Sequence, residues 1–277
     1  TSRPTRPSHM PCQEFSVAQS SNHPQPKSRR VSVAVIVAVL LIALAVVGVF
    51  VAPDGSKGGS DVAGPAPSGA GQSSGARAGR HDKGDISAMK RSDAHGLARR
   101  DAKDPYALGD VNAPLVMIEY ADFRCPFCTV FAGDVLPQIK KEYIDTGYLR
   151  LEWRDLPLFG KESIDAAVGG KAAGRQGRFW EYYRDVFANS DGNGHQSLPR
   201  NTITDLAKKA GVRDVKAFQT GFDDKQLAEL VAKDASEANQ IGFTSTPSFI
   251  VGQTAVVGAQ PIDQFREAID SELDKLR

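Results

Sequence analysis

Two cysteines three positions apart, Cys125 and Cys128, are the residues of this chain whose spacing points most directly at chemistry. Across Cys-Pro-Phe-Cys the two sulfurs come close enough to bond, so the pair can cycle between dithiol and disulfide. Leu115–Tyr120 just upstream is a short, mostly apolar run with β-branched members, which reads as a buried strand. Ala121–Arg124 turns the chain. Phe127, Phe131, Val135, Leu136 and Ile139 then recur at helical spacing, with Tyr143 one turn further on. Cys125 therefore falls at or just before the first helical turn, and Cys128 sits one turn inside. Free amide N–H groups and the helix macrodipole at that end stabilise an anion, so the Cys125 thiolate is expected to form at lowered pH. Cys128 is expected to face the core and Cys125 to be left exposed.

Two other readings compete with a redox pair. A zinc ribbon needs a second ligand pair, and the remaining cysteine, Cys12, lies on the far side of an apolar span. None of the five histidines adjoins the motif. Two cysteines serving merely as small apolar residues is the blander alternative, and it sits poorly with a strand before the pair and a helix after it.

The 277 residues suffice for one or two domains with a sizeable core. A net charge of +1 gives no reason to expect nucleic acid as a partner. Residues 1–30 are basic, serine- and proline-rich, and read as a disordered cytoplasmic tail. Residues 31–52 form an uncharged Val/Ile/Leu/Ala run of about 33 Å as a helix, enough to cross a hydrocarbon layer of about 30 Å. A cleaved signal peptide is the competing reading, but its apolar region would normally be shorter, and no clear A-x-A site follows. Lys27, Arg29 and Arg30 before the span place the N-terminus in the cytoplasm and everything after Ala52 outside. The span would contact membrane lipid as a single-pass anchor. Residues 53–84 are Gly/Ala/Ser/Pro-rich and read as a flexible linker with a reach on the order of 30 Å. Cys12, alone on the reducing side, reads as a bystander thiol.

The remaining stretch, 85–277, carries the folded domain. Asp85–Asp104 is charged with sparse apolar residues and reads as a helix lying on the domain. Pro105–Gly109 leads into the first core strand, Tyr148–Trp153 reads as a second strand, and Pro137 is expected to kink the helix between them. From about 163 to 240 the pattern is helical, with aromatics at Phe179–Phe187 assigned to core packing. His195, in a Gly/Asp/Asn loop, reads as an exposed loop residue without chemistry. Ser248–Val251 and Thr254–Val257 form a hairpin across Gly252-Gln253, and Asp263–Leu276 is an amphipathic closing helix. Strand–helix–strand, a helical block, then hairpin and helix describe an α/β domain with an all-helical insertion.

From Pro105 to Arg277 the sequence resembles the DsbA-like branch of the thioredoxin superfamily. The likeness rests on Glu119-Tyr120-Ala121-Asp122-Phe123-Arg124-Cys125-Pro126-Phe127-Cys128, on Gly242-Phe243-Thr244-Ser245-Thr246-Pro247-Ser248-Phe249, and on the helical block between them. It implies a thioredoxin-like fold with an inserted helical subdomain, preceded here by the transmembrane helix and linker. It implies that Pro247 is cis and faces the dithiol, with Thr246 offering its backbone to an extended substrate. Pro126 and Phe127 between the cysteines complete the substrate-contacting set, and this dipeptide departs from the Gly-Pro of thioredoxin and the Pro-His of many DsbA proteins. Glu119 matches a buried acid that exchanges a proton with Cys128; a glutamate facing solvent is the alternative. The resemblance further implies an extracytoplasmic thiol–disulfide oxidoreductase that oxidises cysteine-containing exported proteins. No cofactor is called for, and a quinone-linked membrane protein of the DsbB or vitamin-K-epoxide-reductase type would reoxidise it. A reductase or isomerase in the same compartment, or a redox-inactive, membrane-tethered substrate-binding module, are the alternatives.

Overall fold

Alternation along strand β2, Leu115–Ala121, sets the architecture. Leu115, Met117, Glu119 and Ala121 point to one face and Val116, Ile118 and Tyr120 to the other, and all are buried, so the strand must be covered on both sides. The computed structural model describes residue 86 and residues 88–277. The tail at 1–30, the apolar span at 31–52, the linker at 53–84 and Cys12 lie outside the described residues. Among the described residues no helix is long and apolar enough to cross a membrane.

Strand β2 runs parallel to β3, Leu149–Asp155, in a register that pairs Leu115 with Leu149 and Ala121 with Asp155. On its other side it pairs antiparallel with β4, Ser248–Val251. A short β1, Ala107–Leu108, lines β3, and β5, Thr254–Val257, lines β4, giving the order β1-β3-β2-β4-β5. Gly252 turns the β4–β5 hairpin at φ +57, a conformation that strains any residue with a Cβ, and a Cβ there would also displace the Glu272 carboxylate.

Helix α1 covers residues 126–144 on the Glu119 face. It alternates α-turns at Pro126–Val130 and Leu136–Ile139 with widened π-turns at Phe131–Val135 and Lys140–Ile144. At Pro137, where a kink is expected, the helix widens: Leu136 N–H reaches back to Phe131 O. The wider turn makes room for a ring that would crowd the preceding carbonyls of a regular helix. Phe131 packs with Phe249 of β4 and Phe265 of the closing helix, ring centroids 4.5–5.3 Å apart. Each such fully buried ring contributes roughly 1.5–3 kcal/mol.

The insertion between β3 and β4 holds five helices. They are α2 Lys161–Arg175, α3 Phe179–Ala188, α4 Arg200–Lys209, α5 Val215–Gly221 and α6 Lys225–Gln240; α7, Ile262–Lys275, closes the chain. Helix α2 touches the other four. Phe179, Tyr182, Tyr183, Val186 and Phe187 of α3 are buried in the main core, as core packing requires.

The helix expected over 85–104 does not form: residues 89–104 run as turns and irregular chain, with Ala94, His95 and Arg100 in the left-handed region. The charged residues of this stretch bond to the domain instead of lining a helix. Arg100 donates to the carbonyls of Ser92, Val111, Ala113 and Pro114. The amides of Arg99 and Arg100 both donate to the Glu152 carboxylate at 2.9 Å. Under this cover lies a buried ionic layer. Glu152 pairs with Arg150 and Arg154, each at 3.0 Å. Lys171 of α2 bridges Asp155 of β3 and Asp234 of α6 at 2.7 and 2.8 Å, and Arg99 also pairs with Asp234.

Candidate active site

Strand β2 ends at Ala121, and the turn that follows is tied down before the cysteines begin. The Asp122 carboxylate accepts from the amides of Arg124 (2.8 Å), Leu158 (2.7 Å) and Phe159 (3.3 Å). Its carbonyl accepts from the Cys125 amide at 3.0 Å. Cys125 thereby becomes the N-cap of α1, with extended φ/ψ of −75/122 and a proline at the first helical position.

The described structure holds the two cysteines as free thiols. Cys128 is fully buried, in accord with its assignment to the core. Cys125 differs from expectation: it is buried too, 2% exposed, because the loop at Thr246 closes over it. Its Sγ lies 3.3 Å from the Thr246 carbonyl. The Thr246–Pro247 peptide is cis. The Thr246 hydroxyl is buried without a hydrogen-bond partner. Phe127 is the exposed member of the motif at 64%, and Pro126 is half-buried.

These surroundings split the two thiols. The Cys125 thiol is lowered to about 6, first by a hydrogen bond from Cys128, against the cost of burial, then by Thr246 and by the Cys128 and Phe127 amides at the helix end. The Cys128 thiol is pushed well up, first by burial and then by the hydrogen bond and charge of Cys125, with Glu119 adding to it. Glu119 does not face solvent: it is fully buried on the α1 face, and burial raises it to about 8. Its Oε1 accepts from the Tyr183 hydroxyl at 3.4 Å, and its Oε2 has no hydrogen-bond partner. One sulfur is thus set up to carry charge and the other to stay protonated, and burial holds the Glu119 carboxyl well above the usual carboxylate range.

Several neighbours carry no signal in the motif. Arg124 donates to Gln196 O (2.7 Å) and Phe159 O (2.5 Å) and faces Glu162 at 3.4 Å. Gln196 donates back to Phe123 O at 2.8 Å. His195, exposed as predicted, stacks on Phe159 with centroids 3.7 Å apart and sets Nδ1 3.2 Å from Arg124 O. Together these contacts strap the insertion to the turn before Cys125. A basic residue directly preceding the cysteines was the sole sequence hint of them.

A dithiol at a helix start, a neighbouring cis-proline loop and a five-stranded sheet define the class: a thiol:disulfide oxidoreductase of thioredoxin-like fold. The profile described as thioredoxin matches residues 101–271, and the chain belongs to that family. It is 32% identical over 173 residues to the probable disulfide bond formation protein D of Bacillus cereus, covering 61% of this chain and 79% of that protein. The disulfide bond formation protein D of Bacillus subtilis is 26% identical over 168 residues, covering 60% and 76%. The crystal structure of oxidised BdbD from Bacillus subtilis shares the fold with a TM-score of 0.59 at 23% identity, covering 67% of this chain and 97% of that one. Wolbachia pipientis α-DsbA1 superposes with a TM-score of 0.55 at 28% identity, covering 62% and 92%.

Proposed function

We propose that this chain is a membrane-anchored, extracytoplasmic oxidase that introduces disulfides into exported proteins. The observation that carries the reading is the opposed setting of the two thiols: Cys125 is the N-cap of α1 under the Thr246 carbonyl and Cys128 is fully buried one turn on, which favours a thiolate at the first and a neutral thiol at the second. A stabilised thiolate is a good leaving group and favours the reduced enzyme, which makes the disulfide form oxidising. A substrate thiolate attacks Cys125 Sγ, the Cys125–Cys128 bond breaks, and its electron pair goes to Cys128 Sγ, which takes up a proton from Glu119. A second substrate thiolate then attacks the substrate sulfur of the mixed disulfide and releases the Cys125 thiolate. The products are a substrate disulfide and a reduced enzyme. Pro126, Phe127, Thr246 and Pro247 frame the approach to Cys125, with the Thr246 backbone available to pair with an extended segment.

Reoxidation needs an electron acceptor, for which a quinone-linked membrane protein of the DsbB or vitamin-K-epoxide-reductase type is proposed. Residues 31–52 would anchor the chain in lipid, with 1–30 cytoplasmic and 53–84 as tether to a domain over 85–277; the length and charge of those segments support this order. Titration of the Cys125–Cys128 pair against glutathione tests the direction. An oxidase remains largely reduced in a glutathione mixture that leaves ordinary structural disulfides oxidised. A pair that stays oxidised there belongs to a reductase. Loss of all exchange in Cys125→Ala separates either from a redox-inactive binding module.

A further inference from the structure

The sheet offers the Glu119 carboxyl no polar neighbour. Its register partners are Trp153 on β3 and Phe249 on β4, and the Trp153 indole N–H donates elsewhere, to Asp155 Oδ1 at 2.9 Å. On α1, which covers this face, Cys128 is fully buried, and the Glu119 charge adds to what pushes its thiol up. The polar group that reaches the Glu119 carboxyl among the described residues is the Tyr183 hydroxyl of α3, at Oε1, while Oε2 stays buried and unpartnered. Tyr183 belongs to the helical insertion and lies 64 positions away in the chain. Its ring is fixed by Trp153 (5.3 Å) and Phe187 (4.7 Å), so the hydroxyl has little freedom to leave the carboxyl.

We infer that Tyr183 is a positioning residue for the proton exchange at Cys128: its hydroxyl holds Glu119 Oε1 and so leaves Oε2 as the oxygen that exchanges the proton. The inference rests on the proposed role of Glu119. When the Cys125–Cys128 bond breaks, the proton on Glu119 Oε2 moves to the Cys128 sulfur. The remaining carboxylate keeps one hydrogen bond, from Tyr183, in a site that otherwise offers it none. When an external disulfide or quinone-linked acceptor withdraws the two electrons, Cys128 returns its proton to the same oxygen as the S–S bond reforms. The proton thus circulates between two buried atoms, and the insertion supplies the group that orients one of them.

Tyr183→Phe keeps the ring and removes the hydroxyl. The rate at which dithiothreitol reduces the enzyme disulfide should be followed against pH in the parent, Tyr183→Phe, Glu119→Gln and the double variant, together with the infrared titration of the Glu119 carboxyl. The expected result is an upward displacement of the Glu119 titration by about half a unit to one unit, the equivalent of one lost hydrogen bond. The inflection of the rate should move with it, and the double variant should behave as Glu119→Gln alone. Should Tyr183→Phe prove unstable, 3-fluorotyrosine at position 183, a stronger donor, is expected to move the titration in the opposite direction. If Glu119→Gln alters the profile and neither change at 183 does, the positioning role is overturned and the Glu119 reading stands. If Glu119→Gln also leaves the profile unchanged, both fall.

Discussion

A thiol that is half ionised near pH 6 in the folded protein and near 9 when unfolded ties the stability of the reduced enzyme to pH. The folded pKa is depressed, so the contribution is fully present above the unfolded value and is lost as pH falls through about 6. The disulfide form has no such group. The resistance of the reduced protein to urea, relative to the oxidised one, is therefore expected to rise from about pH 5 to about pH 7 and above. Paired unfolding curves in the two redox states check this, and a gap independent of pH would remove Cys125 ionisation as its source. Much at this scale was legible beforehand: the cysteines, the proline loop and Glu119 all sit in short, contiguous motifs. Burial of Cys125 was not, because it depends on a loop 121 positions away closing over the sulfur. Tyr183 escaped for the same reason, since an aromatic run at helical spacing announces packing and says nothing of where one hydroxyl ends.

Elements followed their periodicity where apolar residues set it. Strands β2 and β3, the hairpin and the closing helix lie within a residue or two of the predicted bounds. The stretch before Pro105 lies on the domain without forming the expected helix, because Arg99 and Arg100 serve buried acids and backbone carbonyls. That ionic layer joins three elements through Asp234, which is 2% exposed and meets both Lys171 and Arg99. Removing one partner of a buried pair leaves an uncompensated charge, so Asp234→Ala is expected to cost roughly 3–5 kcal/mol. Asp205→Ala, which breaks an exposed pair with Lys208 within one helix, should cost under about 1 kcal/mol. Urea denaturation of the two variants tests the contrast, and equal losses would mean that Lys171 and Arg99 find new partners when Asp234 is gone.

At the scale of the whole molecule, the proposed anchor and the folded domain should separate cleanly. A chain beginning at residue 88 is expected to fold, to reduce and reoxidise as the full chain does, and to fractionate with soluble protein, while the full chain fractionates with membranes. Full-length protein found wholly in the soluble fraction would remove the anchor from the proposal. The insertion, by contrast, is not separable: Arg124, Gln196 and Tyr183 weave it into the turn and the acid beneath the cysteines. The placement of the chain's two indoles carries a further consequence. Trp153 stands beside Glu119 across the sheet, and Trp180 lines an apolar groove of about 720 Å³ between α1 and α3, its ring 5.2 Å from Tyr183. Every aromatic emitter of this type in the sequence therefore borders the site or the residue that orients it. Native fluorescence is therefore expected to differ between the dithiol and disulfide forms without any label, with Trp153, the register partner of Glu119, as the reporter placed in the site.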